Sequence, residues 1–327
     1  MFAPETFAAA LFMTVLSTIC WGSFANTQKL TRNYRFELYY WDYAAGIFLI
    51  SVILAFTMGS MPKNESSFLA NLHSAAPMNL FYAALGGFLF NLANYLLIAG
   101  IGMVGLAIAF PISIGIALVE GVVLSYLIQP KGSPGLLAFG VAMAVLAIIL
   151  IGKAYGELGG KDKKVPRKGV VVCIISGFLM GTFAPFVTRA MTNDHPLTPY
   201  TVAVLFTFGA LLCCFVFNIY MMKHPLVGEP VSFRDYWSAS TYYHVLGVLG
   251  GVIWGVGTVF NFVAAGFVGV AISYAIGQAS PMVAALWGVF LWHEFRGASN
   301  RARAYLLGMF VCYVLALVLI ARAYQSS

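Results

Sequence analysis

Long apolar runs separated by short polar segments are the dominant pattern of this chain. The runs at residues 136–151 and 304–321 contain no charged residue at all. A helix needs about 20 mainly apolar residues to cross a bilayer, so each long run predicts one membrane span. The pattern predicts ten spans, at residues 6–26, 39–60, 77–100, 103–128, 134–153, 169–190, 198–221, 243–264, 267–292 and 302–323.

Composition excludes a water-soluble globule. The chain is 61% hydrophobic and only 9% charged, whereas a soluble domain carries about 25% charged residues. All five cysteines fall inside the apolar runs, without the spacing of a metal site, so we expect neither a disulfide framework nor a bound metal. The fold class that follows is an all-α membrane protein of about ten transmembrane helices.

The polar segment at residues 155–168 divides the chain into two halves of five spans. We therefore expect a first repeat at 1–153, a cytoplasmic linker at 154–168 and a second repeat at 169–327. Because each half has an odd number of spans, the two repeats would insert with opposite orientation. Inverted repeats of this kind, with a binding site near the membrane midplane, recur in secondary transporters.

Short sequence blocks support this division, because they occur in the same order in both halves. Three pairs of blocks match: Gly22-Ser23-Phe24-Ala25-Asn26 with Gly181-Thr182-Phe183-Ala184-Pro185, Leu85-Gly86-Gly87 with Leu249-Gly250-Gly251, and 102–108 with 266–272. The second and third pairs share one offset. Chance similarity between Gly-rich helices does not account for several blocks in one order.

Lysine and arginine residues predict the orientation in the membrane, since cytoplasmic loops carry an excess of them. Fourteen lie in the loops after the odd-numbered spans: Lys29, Arg32, Arg35, Lys153, Lys161, Lys163, Lys164, Arg167, Lys168, Lys223, Arg234, Arg296, Arg301 and Arg303. Four lie on the opposite side: Lys63, Lys131, Arg189 and Arg322. We expect a multi-pass protein of the inner membrane with both termini outside.

Catalytic motifs of soluble enzymes are absent from the sequence. Neither Gly152-Lys153 nor Gly160-Lys161 is followed by the serine or threonine that completes a phosphate-binding loop. We therefore expect no enzyme activity, no catalytic residue and no cofactor. Transport would use an ion gradient or run downhill, and the basic central segment would meet lipid headgroups rather than nucleic acid.

Glu120 is the one acidic residue deep within a predicted span. A carboxylate in hydrocarbon costs several kcal/mol, so such a residue faces a cavity or a partner and is a functional candidate. We predict that Glu120 is the proton-coupling group, with Asp42, near the cytoplasmic end of span 2, as the rival. The alternative for Glu120 is a protonated structural residue.

Amides and tryptophans at membrane depth predict a site for a polar solute, because one amide both donates and accepts hydrogen bonds. A flat apolar wall beside such groups suits a sugar or a heterocycle. Each residue alone is compatible with a packing role. The predicted substrate contacts are Trp21, Asn26, Lys29, Asn91, Asn94, Trp254, Asn261 and Gln278.

The whole chain resembles the drug/metabolite transporter superfamily, and more narrowly the branch of bacterial glucose and rhamnose uptake proteins and plant ureide permeases. The resemblance rests on Trp21-Gly22, Tyr40-Trp41-Asp42-Tyr43, Ala55-Phe56-Thr57-Met58-Gly59, Gly86-Gly87 with Asn91 and Asn94, Val104-Gly105-Leu106-Ala107 and Pro111-Ile112. It implies ten helices in two inverted repeats and proton-linked import.

The predicted function is proton-coupled import of a small neutral polar solute. A sugar is the first choice, a ureide- or purine-type nitrogenous heterocycle the second, and export of a drug or metabolite a further alternative. The expected partners are the solute, protons and the lipid bilayer, with the chain as a monomer or homodimer. A non-transporting receptor lacks support because no soluble domain is predicted, and an intramembrane enzyme lacks paired catalytic groups.

Overall fold

The computed structural model describes residues 1–31, 34–61, 67–158, 166–225 and 228–325, which are helical with no β-strand. A 3₁₀ turn lies at Met58–Ser60 and a π-helical turn at Cys214–Asn218. The α-helices are α1 (Phe7–Ser23), α2 (Ala25–Leu30), α3 (Phe36–Phe56), α4 (Phe68–Ser74), α5 (Pro77–Val104), α6 (Leu106–Ile128), α7 (Pro134–Leu158), α8 (Arg167–Thr192), α9 (Pro199–Cys213), α10 (Ile219–Lys223), α11 (Phe233–Trp237), α12 (Thr241–Val268), α13 (Val270–Gly277), α14 (Ser280–Phe290) and α15 (Asn300–Gln325).

Ten stretches of the described chain are long and apolar enough to cross a membrane, which confirms the predicted number of spans and the fold class. They are numbered here as span 1 to span 10: Phe7–Leu30, Phe36–Ser60, Pro77–Val104, Ile108–Ile128, Pro134–Leu158, Arg167–Thr192, Pro199–Lys223, Thr241–Val268, Val270–Phe290 and Asn300–Gln325. Span 1 contains α1 and α2, span 7 contains α9, the π-helical turn and α10, and span 9 contains α13 and α14.

A single glycine separates span 3 from the helix of span 4, and another separates span 8 from span 9. Gly105 has φ +80° and ψ 160°, and Gly269 has φ +89° and ψ 151°. This backbone region is open essentially to glycine alone, so the chain can reverse there within one residue. The two glycines lie in the blocks that matched in sequence, and they adopt the same conformation.

A proline within a helix removes a backbone hydrogen bond, so Pro111, Pro185 and Pro281 each predict an interruption of their span. Pro111 lies within α6 and Pro185 within α8, and both helices continue through them. Span 9, in contrast, is interrupted at Gln278 and Ala279, just ahead of Pro281, which occupies the first turn of α14. Proline suits a first turn because its missing N–H would have no helical partner there.

Equivalent spans of the two halves have equivalent packing partners, so that span 1 corresponds to span 6, span 2 to span 7, and so on. Span 1 packs on spans 8 and 9, and span 6 packs on spans 3 and 4. Span 2 packs on spans 8 and 7, span 7 on spans 3 and 2, and span 5 on span 10. The inverted orientation of the halves and their boundaries stay predictions.

The central linker is described only in part. Span 5 runs on to Leu158 and span 6 begins at Arg167, so both are longer than predicted. The residues of the orientation prediction that lie outside the described chain are Arg32, Lys63, Lys161, Lys163 and Lys164.

Candidate solute-binding site

A cavity of about 190 Å³ lies between the two halves of the chain. Spans 1, 3, 4, 6, 8 and 9 line it, and span 7 adds Phe206. The lining includes Trp21, Phe24, Phe90, Asn94, Ile114, Met180, Phe183, Phe206, Trp254, Thr258, Phe262, Gln278, Ser280 and Pro281. The volume is below the roughly 300–1,000 Å³ of pockets for drug-sized ligands, so the cavity suits one small solute.

Three aromatic rings from three spans form a continuous wall of the cavity. The ring centroids of Trp21 and Trp254 are 6.0 Å apart at an interplanar angle of 20°. Phe90 stacks on Trp254 at 5.0 Å and 28°. The indole N–H of Trp21 donates to Thr258 at 3.1 Å, which fixes its ring plane. Such a wall favours a solute with a flat apolar face.

Gln278 brings a carboxamide to the cavity from span 9. Its residue surface is only 9% exposed, yet no side-chain hydrogen bond is described for it. It lies at the break between α13 and α14. Because an unpaired buried polar group costs about 1–3 kcal/mol, this amide is suited to a ligand or water.

Asn94 brings a second carboxamide, from span 3. Its side-chain N–H donates to the Tyr40 hydroxyl at 3.4 Å, a long contact that leaves the amide oxygen without a described partner. Thr258, in contrast, is occupied, since its hydroxyl donates to the Trp254 carbonyl at 3.1 Å and accepts from Trp21. Every cavity-lining side chain of the described residues is neutral, which favours an uncharged solute.

Two of the predicted amides tie helices together outside the cavity lining. Asn91 donates to the Ala210 carbonyl at 2.9 Å and accepts from the Tyr40 hydroxyl, and so joins spans 2, 3 and 7. Asn261 donates to the Ser273 carbonyl at 3.0 Å and accepts from the Ser273 hydroxyl at 2.8 Å, and so joins spans 8 and 9. Their hydrogen bonds are made within the protein.

Asn26 and Lys29 lie at the end of span 1, also outside the cavity lining. The indole N–H of Trp292 donates to the side-chain oxygen of Asn26 at 2.6 Å. Lys29 forms an ion pair with Glu294 and lies 4.4 Å from the ring centroid of Trp292. Tyr155 donates to the other Glu294 oxygen at 2.9 Å, so this network joins the ends of spans 1, 5 and 9.

Glu120 faces an apolar groove between spans 4, 5 and 6 rather than the cavity. The Thr182 hydroxyl lies 3.1 Å from Glu120 Oε1 and 2.6 Å from the Phe178 carbonyl. The one hydroxyl proton of Thr182 is shared between these two acceptors. Glu120 therefore accepts from Thr182 through one carboxyl oxygen, and its other oxygen has no described partner.

Asp42 lies in a separate polar cluster near the start of spans 2 and 8. The Tyr236 hydroxyl donates to Oδ1 at 2.6 Å, and His244 Nδ1 lies 2.8 Å from Oδ2. The structure therefore gives Asp42 a titratable partner that the sequence analysis did not identify. Nothing in the sequence spacing signals this pair, because about two hundred positions separate the two residues.

Several cavity residues were not predicted, although the repeat register contains a signal for them. The register that aligns Gly105 with Gly269 also aligns Phe90 with Trp254 and Asn94 with Thr258. Both members of each pair line the cavity. Extending the matched blocks to every candidate residue would have identified Phe90 and Thr258 from the sequence.

The fold and this cavity define a class: a multi-pass helical membrane protein with a small, uncharged internal site between its halves. A model of the ureide permease family matches residues 161–323. The chain is 24% identical to ureide permease 1 of Arabidopsis thaliana, over 98% of this chain and 98% of the relative. These findings place the chain among membrane transporters and support the ureide permease side of the resemblance.

Two further comparisons cover nearly the whole chain. The probable glucose uptake protein GlcU of Priestia megaterium is 22% identical, over 94% of this chain and 96% of the relative. A solved structure described only as a crystal structure of a protein matches with a TM-score of 0.67 and 15% identity, over 96% of this chain and 98% of that one. The structural match shows the fold alone.

Proposed function

We propose that this chain transports a small neutral nitrogenous heterocycle of the ureide or purine type, bound in the central cavity. The observation that carries the proposal is the buried, unpartnered carboxamide of Gln278 beside the ring wall of Trp21, Phe90 and Trp254. A cyclic ureide offers a flat ring and an edge of alternating N–H and C=O groups. A carboxamide complements that edge because it presents one donor group and one acceptor.

This proposal reverses the order of solutes that the sequence suggested. A sugar carries hydroxyls around its whole rim and needs polar partners on several sides. The lining offers few polar side chains, and Thr258 among them is already occupied. The family match and the plant relatives are named for ureides, whereas the relative named for glucose uptake is more distant. The heterocycle therefore takes first place.

Transport by this cavity would follow an alternating-access cycle in which the two halves rock about the bound solute. We infer proton-coupled import as the source of energy; Glu120, which the sequence analysis predicted as the carrier, faces the groove between spans 4, 5 and 6 rather than the cavity. The paired contacts of spans 1 and 6 with the opposite half support a rocking motion, since each half holds the other through equivalent spans.

Ligand-induced stabilisation tests the proposed solute class. The purified chain is heated with allantoin, uracil, hypoxanthine, glucose or rhamnose, and its unfolding temperature is recorded. A ligand that binds only the folded state raises that temperature by mass action. We expect a concentration-dependent rise with at least one nitrogenous heterocycle and none with the sugars. A rise with a sugar alone contradicts the proposal.

Orientation in the inner membrane gives a separate prediction. We expect both termini outside and the central linker in the cytoplasm, because of the basic excess on that side. In a cysteine-free background, Lys163→Cys should resist a membrane-impermeant thiol reagent in sealed cells, whereas Asp194→Cys, in the loop after span 6, should react. The reverse labelling pattern would invert the topology.

A further inference from the structure

A polar cluster closes one end of the contact between spans 2 and 8. Asp42 is only 7% exposed, and both of its carboxylate oxygens are engaged, by Tyr236 at 2.6 Å and by His244 at 2.8 Å. The His244 ring also meets the Tyr236 ring edge-on, with centroids 4.6 Å apart. The imidazole remains partly exposed, with 24% of its side-chain surface accessible, so it can exchange protons with water.

Three elements of the described chain meet at this cluster. Asp42 belongs to span 2, His244 to span 8, and Tyr236 to the short helix α11 in the loop between spans 7 and 8. Spans 2 and 8 belong to opposite halves and pack closely, since a Cβ atom on Gly247 would overlap the Asp42 side chain. The cluster therefore fastens one half of the protein to the other.

The net charge of this contact depends on whether the Asp42–His244 pair holds a proton. With one proton on the pair, the Asp42 carboxylate faces a charged imidazolium, or the acid itself is neutral. Without that proton, a buried carboxylate is left with only neutral donors, which is unfavourable away from water. Since the two groups touch, the proton belongs to the pair rather than to either residue.

We propose that the Asp42–His244 pair, held by Tyr236, binds and releases the coupling proton and so controls the contact between spans 2 and 8. The inference rests on the proposed transport function. Bound, the proton keeps the pair neutral and the halves fastened at this end. Released, it leaves a buried negative charge that favours separation of the two spans. Histidine is the side chain whose charge ordinarily changes between pH 5 and 8, which suits this role.

The phenols that face Asp42 do not compete for this proton. They come from Tyr34 ahead of span 2, Tyr39 within it and Tyr236 in α11. Burial, followed by the negative charge of Asp42, raises the pKa of Tyr34 above its ordinary range. Burial and the hydrogen bond to Asp42 raise the pKa of Tyr236 likewise. Both phenols therefore stay neutral between pH 5 and 8.

Glu120 serves as the matched acid for comparison. One of its oxygens accepts from Thr182 in an apolar groove, and the other has no described partner. Glutamine at that position keeps the shape of the side chain and an oxygen that can accept from Thr182, and it removes any exchangeable proton. At Asp42, in contrast, asparagine removes both the exchangeable proton and the charge that pairs with His244.

Transport by the full chain in proteoliposomes tests the proposal against the assignment to Glu120. Gradient-driven accumulation and gradient-free counterflow of labelled allantoin or uracil are measured for wild type and for Asp42→Asn, His244→Gln and Glu120→Gln. We expect Asp42→Asn to lower accumulation at least tenfold while counterflow persists, and His244→Gln to flatten the pH dependence of uptake. Glu120→Gln should accumulate solute like wild type. Wild-type accumulation by Asp42→Asn overturns the proposal.

A substrate-free measurement separates this proposal from the proposed function and detects a misfolded variant. Loss of the shared proton leaves a buried negative charge in the folded chain only, so the unfolding temperature of wild type should fall as pH rises from 5 to 8. Asp42→Asn and His244→Gln should lose that fall, and Glu120→Gln should retain it. If Asp42→Asn keeps the wild-type profile, the pair is not the proton site, whichever solute is transported. If the profile changes as expected but no nitrogenous solute is taken up, only the proposed function fails.

Discussion

Replacing Gln278 with leucine is expected to weaken solute binding by about five- to a hundredfold while the protein still folds. The wild-type carboxamide is buried and lacks a described partner, so the solute is the group that satisfies it. Leucine fills a similar volume, and the loss therefore reports the hydrogen bond rather than a cavity. Deprived of that bond, the polar edge of the solute is buried unpaired, at a cost of about 1–3 kcal/mol.

Binding is followed through the fluorescence of the cavity tryptophans or by calorimetry. Gln129→Leu, at the end of span 4 and outside the cavity lining, is the matched control and should bind like wild type. Gln278→Asn retains a carboxamide one methylene shorter and should recover part of the affinity. Wild-type affinity in Gln278→Leu would move the site away from this cavity.

Alanine at Gly87 or Gly209 should prevent stable folding. The two glycines lie where spans 3 and 7 cross, and a Cβ atom on either would overlap backbone atoms of the other span, at Phe206 and Ala84 respectively. Overpacking in a core typically costs about 1–3 kcal/mol, but side chains can rotate away whereas a helix backbone cannot. We expect a loss beyond about 3 kcal/mol, because the two spans must separate.

Gly115→Ala and Gly135→Ala are the controls for this prediction. Nothing lies within 4 Å of a Cβ atom at either position, so alanine should be neutral or stabilising by roughly 0.5–1 kcal/mol. The measurement is the unfolding temperature together with the monodisperse fraction in size-exclusion chromatography. Equal behaviour of all four variants would mean that spans 3 and 7 are not in close contact.

The spans and the fold class could be predicted from the sequence because a membrane imposes one requirement, an apolar run of sufficient length, on each helix. The short connections between the predicted spans, at residues 101–102 and 265–266, indicated the reversals that the structure places at Gly105 and Gly269. Pro281 correctly predicts an interruption of span 9, but Pro111 and Pro185 give the same sequence signal and their helices continue. Whether a proline interrupts a helix depends on its neighbours in space.

The sequence predicts which amide side chains lie at membrane depth, but it does not predict their hydrogen-bond partners. Asn91 and Asn94 are three positions apart on one helix, yet Asn91 turns to span 7 and Asn94 to the cavity. The sequence predicts membrane depth for both, whereas their different roles follow from the neighbouring groups that each amide meets in the packed structure. The Asp42–His244 pair was hidden in the same way, because its members meet only through the contact of two distant spans.

Uptake of labelled solutes into proteoliposomes with an imposed pH gradient tests the central claim most directly. With the purified chain as the only protein, we expect gradient-stimulated accumulation of a cyclic ureide or a nucleobase, and no accumulation of glucose or rhamnose. Unlabelled heterocycle should compete, and Gln278→Leu should raise the concentration needed for half-maximal uptake. Accumulation of glucose, with no uptake of any nitrogenous heterocycle, would contradict the account.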